Sequence, residues 1–97
     1  MYLIRDVFHT KPGKAKELVK KFKLAAPYFE KQGMKGLRVM TDIATTYWTV
    51  VLESQTEDLG EFAKEIRGGT SAPEVGKIME GYMDLVTSGY REIFLIE

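Results

Sequence analysis

The sequence of 97 residues has no cysteine, one histidine and only three prolines. The lack of cysteine excludes disulfide bonds, thiol nucleophiles and cysteine-ligated metals, and a single histidine excludes a two-histidine metal site within one chain. No apolar run approaches the roughly 18–20 residues of a membrane-spanning helix. Met1 leads straight into a strand-like segment without the features of a secretory signal. We therefore expect a cytoplasmic protein with no metal, no cofactor and no membrane partner.

An excess of either charge is also lacking, because 14 basic residues balance 14 acidic ones. The distribution is uneven: residues 1–38 hold 10 basic and 3 acidic residues, whereas residues 39–97 hold 4 and 11. A basic surface for an anionic partner would explain this, as would complementary faces between two copies. We favour a simpler explanation, a lysine-rich wet face on one helix and glutamate-rich faces on others. Length and composition predict one globular domain, residues 1–97.

The segment Gly36–Ser54 is rich in β-branched and aromatic residues. It predicts two strands joined by a short turn near Ala44–Thr45. Alternation in its second half places Trp48, Val50 and Leu52 on one face, and Tyr47, Thr49 and Val51 on the other. Both faces therefore carry apolar or aromatic bulk, so each side of the sheet needs a cover.

The N-terminal part predicts a strand and a long helix. Tyr2–His9 alternates as a strand, and Thr10 is a plausible N-cap for a helix from about Pro12 to Gln32. Pro27 predicts a kink or a restart of that helix. The apolar positions recur at steps of three and four: Ala15, Leu18, Val19, Phe22, Ala25, Ala26 and Phe29.

Two further helices and a last strand are predicted after the hairpin. Thr56–Leu59 combines a capping residue with acidic residues and opens the second helix, which Gly68–Gly69 ends. Its apolar stripe is Leu59, Phe62, Ala63 and Ile66.

The third helix is predicted from a capping box at Ser71–Glu74 to about Thr87. Its apolar stripe is Val75, Ile78, Met79, Tyr82, Met83 and Val86. Gly89 is predicted to end it, and Tyr90–Glu97 alternates as a final strand.

The element order βαββ(αα)β predicts an α+β, ferredoxin-like fold with a four-stranded antiparallel sheet and helices on one face. The opposite face would remain wet in a monomer, and large exposed apolar patches mark interfaces. Because symmetric pairs are the commonest oligomers, we predict a homodimer through this sheet face.

Five segments of the chain have a familiar pattern: Tyr2–Asp6, Lys11–Glu17, Val39–Asp42, Tyr47–Glu53 and Ser88–Phe94. Together they resemble the dimeric α+β barrel superfamily, which includes antibiotic-biosynthesis-monooxygenase-like (ABM-like) and NIPSNAP-like proteins. The resemblance implies a homodimer with a pocket between sheet and helices in each subunit. Members include cofactor-free oxygenases, haem-degrading enzymes, isomerases and proteins without known activity, so the fold does not settle the function. The third helix has no histidine to bind iron, which disfavours haem degradation.

The only histidine, His9, is the weak candidate for a catalytic residue. An unperturbed imidazole titrates near neutral pH and can act as a general base. The alternative, which we favour, is a strand-end histidine bonded to backbone or water. No nucleophile–base pair and no compact carboxylate cluster for a metal can be identified from spacing.

Four residues are candidates for lining a ligand pocket: Trp48, Tyr82, Met79 and His9. Trp48 suits a flat aromatic ligand, and the Tyr82 hydroxyl suits orientation of that ligand. We favour core packing beneath the helices as the explanation of Trp48, and core packing over catalysis for Met79. Arg38, Asp42 and Arg91 are expected in charge-assisted contacts at strand ends or in salt bridges between strands or subunits.

These observations predict a small-molecule pocket protein, with cofactor-independent oxygenation or isomerisation of an aromatic or polyketide-like substrate as the implied activity. The alternative is a non-catalytic homodimeric ligand-binding or dimerisation domain. RNA-recognition modules share the βαββαβ order, but Thr46–Glu53 lacks their basic-glycine-aromatic signature. We therefore expect no nucleic-acid partner and a small apolar or aromatic ligand.

Overall fold

The computed structural model describes residues 1–68 and 73–97, and the side chains of these except at 66–68. Their helices and strands follow the predicted order closely. They are β1 (Tyr2–Thr10), α1 (Ala15–Lys31), β2 (Lys35–Thr41), β3 (Thr49–Thr56), α2 (Leu59–Gly68), α3 (Pro73–Ile78), a 3-10 turn (Tyr82–Leu85) and β4 (Val86–Leu95).

The four strands form one antiparallel sheet in the order β2-β3-β1-β4. The central strand β1 pairs with β3 on one side and with β4 on the other. Its side chains alternate between the two faces. Ile4 and Phe8 pack against helical residues, whereas Arg5 and His9 lie on the opposite face, here called the open face. The predicted α+β, ferredoxin-like fold is thus confirmed.

The core lies between the sheet and the helices and consists of two clusters. The larger buries Leu18 and Phe22 of α1 against Val50 and Leu52 of β3, together with Leu85. The smaller buries Ile4, Met34 and Phe62. Apart from Leu85 and Met34, these are positions that the predicted periodicity marks as apolar, and burial of such side chains is the main favourable term in folding.

The entry to α1 differs from the prediction. Thr10 belongs to β1, where its backbone N–H and its hydroxyl both donate to the carbonyl of Trp48. It therefore cannot cap the helix, and Lys14 occupies the N-cap position. Of the kink or restart predicted at Pro27, the restart is wrong, since α1 continues through Pro27. Pro27 and Lys23 are exposed, so water can satisfy the carbonyl that the proline leaves without a donor.

The connection between β2 and β3 is longer than the predicted short turn. Residues 42–48 lie outside both strands, and Trp48 has a φ of 59°, in the left-handed region. Trp48 is therefore not a strand residue and does not share the alternation of Val50 and Leu52. The loop is closed by Asp42, whose carboxylate accepts a hydrogen bond from the backbone N–H of Thr49 at 2.9 Å.

The predicted long third helix is wrong beyond Ile78. Gly81 has a φ of 80°, which is incompatible with a continuing right-handed helix. The chain then forms the 3-10 turn and enters β4 at Val86, four residues before the predicted start at Tyr90. Gly89 consequently lies within a strand, opposite Phe8, and does not end a helix.

Two predictions fall outside the described residues. The capping box at Ser71–Glu74 begins in the segment 69–72, and Gly69 lies in the same segment. The start of α2 is described: Asp58 caps it by accepting a hydrogen bond from the backbone N–H of Glu61 at 3.1 Å.

Candidate functional site

A cavity of about 560 Å³ lies between the sheet and the three helices. Its wall is mostly aromatic and aliphatic: Phe8, Phe22, Phe29, Met34, Leu52, Phe62, Val75, Met79 and Tyr82. A volume of this size and an apolar wall with few polar groups are typical of small-molecule sites. The cavity is therefore the candidate functional site.

The buried wall contains one carboxylate, that of Asp6 in the middle of β1. The residue is only 7% exposed and lies between Ile4 and Phe8 on the face that packs against the helices. Arg91 lies directly opposite on β4, and its Nε donates a hydrogen bond to Asp6 Oδ1. The Arg91 guanidinium also lies over the ring of Phe62, with 5.3 Å between its central carbon and the ring centroid. The cavity thus contains a neutralised and oriented ion pair.

Among the described residues, the cavity rim is more acidic than basic. Exposed or half-buried acidic residues contribute to it just before α2 and along that helix: Glu57, Asp58, Glu61 and Glu65. Lys35 adds a basic group to the rim, and its Nζ lies 3.2 Å from Glu57 Oε1. The local field around the entrance therefore favours cationic or neutral molecules over anions.

Lys21 of α1 is hydrogen-bonded to the segment that contains Met79 and Tyr82. Its Nζ donates to the carbonyl of Glu80 at 2.8 Å and to that of Ile78 at 3.2 Å. Ile78 is the last residue of α3, and the last carbonyls of a helix have no donor within the helix. This lysine therefore holds the C-terminal side of the cavity wall against α1.

The structure brings together two of the four residues predicted to line one pocket, Met79 and Tyr82. Trp48 lies elsewhere, in a groove formed with α1 residues such as Ala15 and Val19, and it is 42% exposed. His9 projects on the open face, because its neighbour Phe8 packs against α1. A shared pocket for all four residues is not formed within one chain.

His9 is held by a hydrogen-bond chain at the edge of the open face. Its Nδ1 lies 3.3 Å from the hydroxyl of Thr49, and that hydroxyl donates to the carbonyl of Thr46 at 2.7 Å. Because the hydroxyl has a single hydrogen, it accepts from His9 Nδ1. In the neutral imidazole, Nε2 is then the acceptor nitrogen. The ring of Tyr90 lies 6.3 Å away, centroid to centroid.

The centre of the open face is occupied by an ion network around Glu53, which is 4% exposed. Arg38 donates to Oε1 at 2.6 Å and Arg5 to Oε2 at 3.0 Å. Arg5 also lies 3.6 Å from Glu92. The predicted inter-strand salt bridges are therefore present for Arg38, with Glu53, and for Arg91, with Asp6. Asp42 makes a polar contact with the backbone of Thr49.

Burial by itself would raise the pKa of the Glu53 carboxyl, but hydrogen bonds and charges from Arg38 and Arg5 outweigh it. The pKa of Glu53 therefore lies below its ordinary value. The ionised form stabilises the fold at neutral pH, and this contribution disappears as the pH falls from the ordinary glutamate range through the lowered pKa.

We expect Glu53→Gln to lower the free energy of unfolding at neutral pH by about 2 kcal/mol, because both arginines lose a charged acceptor. The loss should shrink in acid, where wild-type Glu53 is itself protonated. Urea unfolding between neutral and acidic pH measures this. Glu57→Gln, which affects an exposed pair with Lys35, should cost less than about 1 kcal/mol. An equal, pH-independent cost for both variants would contradict the assignment.

Comparison with solved structures identifies the fold. An uncharacterised NIPSNAP-like domain protein from Burkholderia xenovorans superposes with a TM-score of 0.78 over 99% of this chain and 84% of its own, at 16% identity. A NIPSNAP family protein from Agrobacterium tumefaciens gives a TM-score of 0.81 over 99% of this chain and 92% of its own, at 14% identity. The chain has the fold of the NIPSNAP-like proteins. The resemblance predicted from the sequence is confirmed at the level of the fold.

The ABM-like proteins share this NIPSNAP-like fold. A candidate antibiotic biosynthesis monooxygenase from Deinococcus radiodurans covers 100% of this chain and 93% of its own with a TM-score of 0.67 and 14% identity. No protein-family model matches the sequence, and no curated protein matches it. In the described residues, no helix has both the length and the apolar character to cross a membrane.

Sequence reasoning did not identify Asp6 or Phe62 as cavity residues, and it predicted a strand-end contact or a salt bridge for Arg91 without a partner or a place in the cavity. The signal for Asp6 was available, since it is the single charged residue in the alternating set Tyr2, Ile4, Asp6 and Phe8. A carboxylate among apolar positions of a covered strand face indicates a buried pair or a site. The pairing with Arg91 depends on register and could not be read from one strand.

Proposed function

We propose that this protein binds a small, mostly apolar or aromatic molecule in the cavity between the sheet and the helices. The observation that carries the proposal is the apolar wall of the cavity, which surrounds one neutralised ion pair. Such a site offers a large apolar contact area together with few, oriented polar groups. The compared structures are too low in sequence identity to show which ligand this chain binds, so the proposal depends on the cavity itself.

The five methionines provide a direct test. Met34 and Met79 line the cavity, whereas Met1, Met40 and Met83 do not. With the methionine methyl groups labelled with carbon-13, titration with 2-naphthol or 2-quinolone should shift the signals of Met34 and Met79 and leave the other three nearly unchanged. If neither compound moves these two signals at millimolar concentration, binding in the cavity is refuted. Met40 lies on the open face, because it is two residues after Arg38 on β2, so shifts confined to Met40 would indicate that face instead.

As the reaction at this site, we propose cofactor-independent oxygenation or isomerisation of an aromatic or polyketide-like substrate. The support is that the Asp6 carboxylate, the Tyr82 hydroxyl and the positive charge of Arg91 lie beside an apolar cavity, where such groups can orient a substrate or stabilise charge that develops on it. Oxygen uptake by metal-free protein with hydroxylated aromatic ketones tests oxygenation, and incorporation of solvent deuterium tests isomerisation. Binding without either signal would favour the non-catalytic ligand-binding alternative. Turnover lost in His9→Ala but kept in Tyr82→Phe would move the site to the open face.

We further propose that the chain forms a homodimer through the open face. The aromatic residues Tyr90 and Phe94 of β4 lie on this face and are 56% and 48% exposed. The charges beside them are already paired with one another, as Arg5, Arg38, Glu53 and Glu92 balance to zero. A second copy can therefore cover the face without burying an unpaired charge.

A dimer of this kind makes the sedimentation behaviour sensitive to Phe94 but not to exposed apolar residues outside the open face. The wild type should sediment as a dimer at micromolar concentration, and Phe94→Glu should sediment as a monomer because it places charge in the interface. Met83→Glu is the matched control, since Met83 is 73% exposed and lies in the 3-10 turn near Phe8, on the side of the sheet opposite the open face. A folded wild-type monomer would refute the dimer.

A further inference from the structure

The ion pair in the cavity is not needed to hold β1 and β4 together. The two strands already pair over nearly their whole length. Asp6 is buried among apolar neighbours, whereas the Arg91 side chain is 38% exposed. Replacing an ion pair that contains a buried charge by apolar residues is often neutral or stabilising. A charged pair at this position is therefore better explained by contact with a ligand than by stability.

Both partners retain hydrogen-bonding capacity toward the cavity. Within the described residues, the hydrogen bond of Arg91 to Asp6 uses Nε and Oδ1, and no bond reaches the terminal nitrogens of Arg91 or the Oδ2 of Asp6. No buried side-chain oxygen or nitrogen in this part of the chain lacks a partner, so Asp6 Oδ2 borders accessible space. Contact with Asp6 and the Phe62 ring fixes the guanidinium from two sides. Donors and an acceptor thus lie side by side on the cavity wall.

We propose that Asp6 and Arg91 select an uncharged ligand that carries a carbonyl next to an O–H or N–H group on an apolar ring body. The ligand carbonyl accepts from the Arg91 terminal nitrogens, and its O–H or N–H donates to Asp6 Oδ2. An anionic ligand is disfavoured, because Asp6 already neutralises Arg91 and the rim of the cavity is acidic. This assignment rests on the proposed binding function and adds to it the class of ligand.

Three ring compounds of similar size separate the possibilities. 2-Quinolone offers adjacent C=O and N–H groups, N-methyl-2-quinolone lacks the donor, and 2-naphthoate carries a negative charge. Titrations followed at the Met34 and Met79 methyl groups should show 2-quinolone binding at least about tenfold more tightly than either of the others, the effect of one hydrogen bond to a charged group.

The double variant Asp6→Leu/Arg91→Leu should fold with an unchanged or higher Tm and bind both quinolones equally. Arg38→Leu removes an equivalent charge from the open face and should keep the preference. Equal binding of all three compounds to the wild type would overturn the proposed ligand class but would still support binding of a small molecule in the cavity. Tightest binding of 2-naphthoate would overturn it in favour of an anion, and no binding by any compound would overturn both proposals.

Discussion

Replacement of Leu18 by alanine is expected to lower the free energy of unfolding by about 3–4 kcal/mol. Leu18 is fully buried and belongs to the larger core cluster with Phe22, Val50, Leu52 and Leu85. The substitution removes apolar contacts from both the sheet and the 3-10 turn, and strands paired on both sides cannot move in to fill the space. Urea unfolding at one fixed protein concentration measures the loss.

The same helix contains a matched control. Leu24→Ala removes the same atoms and gains the same helix propensity, but Leu24 is 55% exposed. Its free energy of unfolding should therefore stay within about 0.5 kcal/mol of the wild type. Equal losses for Leu18→Ala and Leu24→Ala would show that the face of α1 that contacts the sheet has been assigned wrongly.

The fold was predictable because local patterns and global architecture agree over most of the chain. The three- and four-residue spacing in α1 correctly assigned Leu18, Phe22 and Ala25 to the core. Alternation correctly assigned the two faces of β1. These patterns report burial, which is the strongest determinant of structure.

The errors lie where a single backbone conformation overrides such a pattern. Gly81 adopts a left-handed conformation and ends the helical path, although Met79, Tyr82 and Val86 keep helical spacing. Trp48 also adopts a left-handed conformation, directly before β3. A glycine permits a positive φ but does not require it, and a tryptophan rarely adopts it. The left-handed conformations of Gly81 and Trp48 therefore could not be predicted from residue propensities.

The candidate site was less predictable than the fold. Cavity walls combine residues from elements distant in sequence, so the pairing of Asp6 with Arg91 depends on the β1–β4 register. Met79 and Tyr82 were predicted as pocket residues and do line the cavity, whereas their role in binding stays a prediction. The aromatic ring of Trp48 favoured contact with a flat ligand, but its residue type does not determine on which side of α1 Trp48 lies.

Gly89→Ala is expected to destabilise the protein by about 2–3 kcal/mol through the β1–β4 pairing. A Cβ atom at this position would lie 2.5 Å from the carbonyl oxygen of Val7 and 3.5 Å from the Cα of Phe8. Both neighbours are backbone atoms of the central strand, so no side-chain rotation relieves the contact. The edge strand β4 must move away from β1, and the ion pair between Arg91 and Asp6 moves with it.

Gly76→Ala in α3 is the matched control, because a Cβ there meets nothing within 4 Å. It should be neutral or stabilise by up to about 1 kcal/mol, since alanine is the better helix former. Amide hydrogen exchange locates the Gly89→Ala effect: protection should fall along β1 and β4 and persist between β2 and β3. A variant as stable as the wild type would mean that β4 does not lie as close to β1 as the structure shows. Uniform loss of protection would mean that the sheet opens as one unit, with β4 holding the central strand in place.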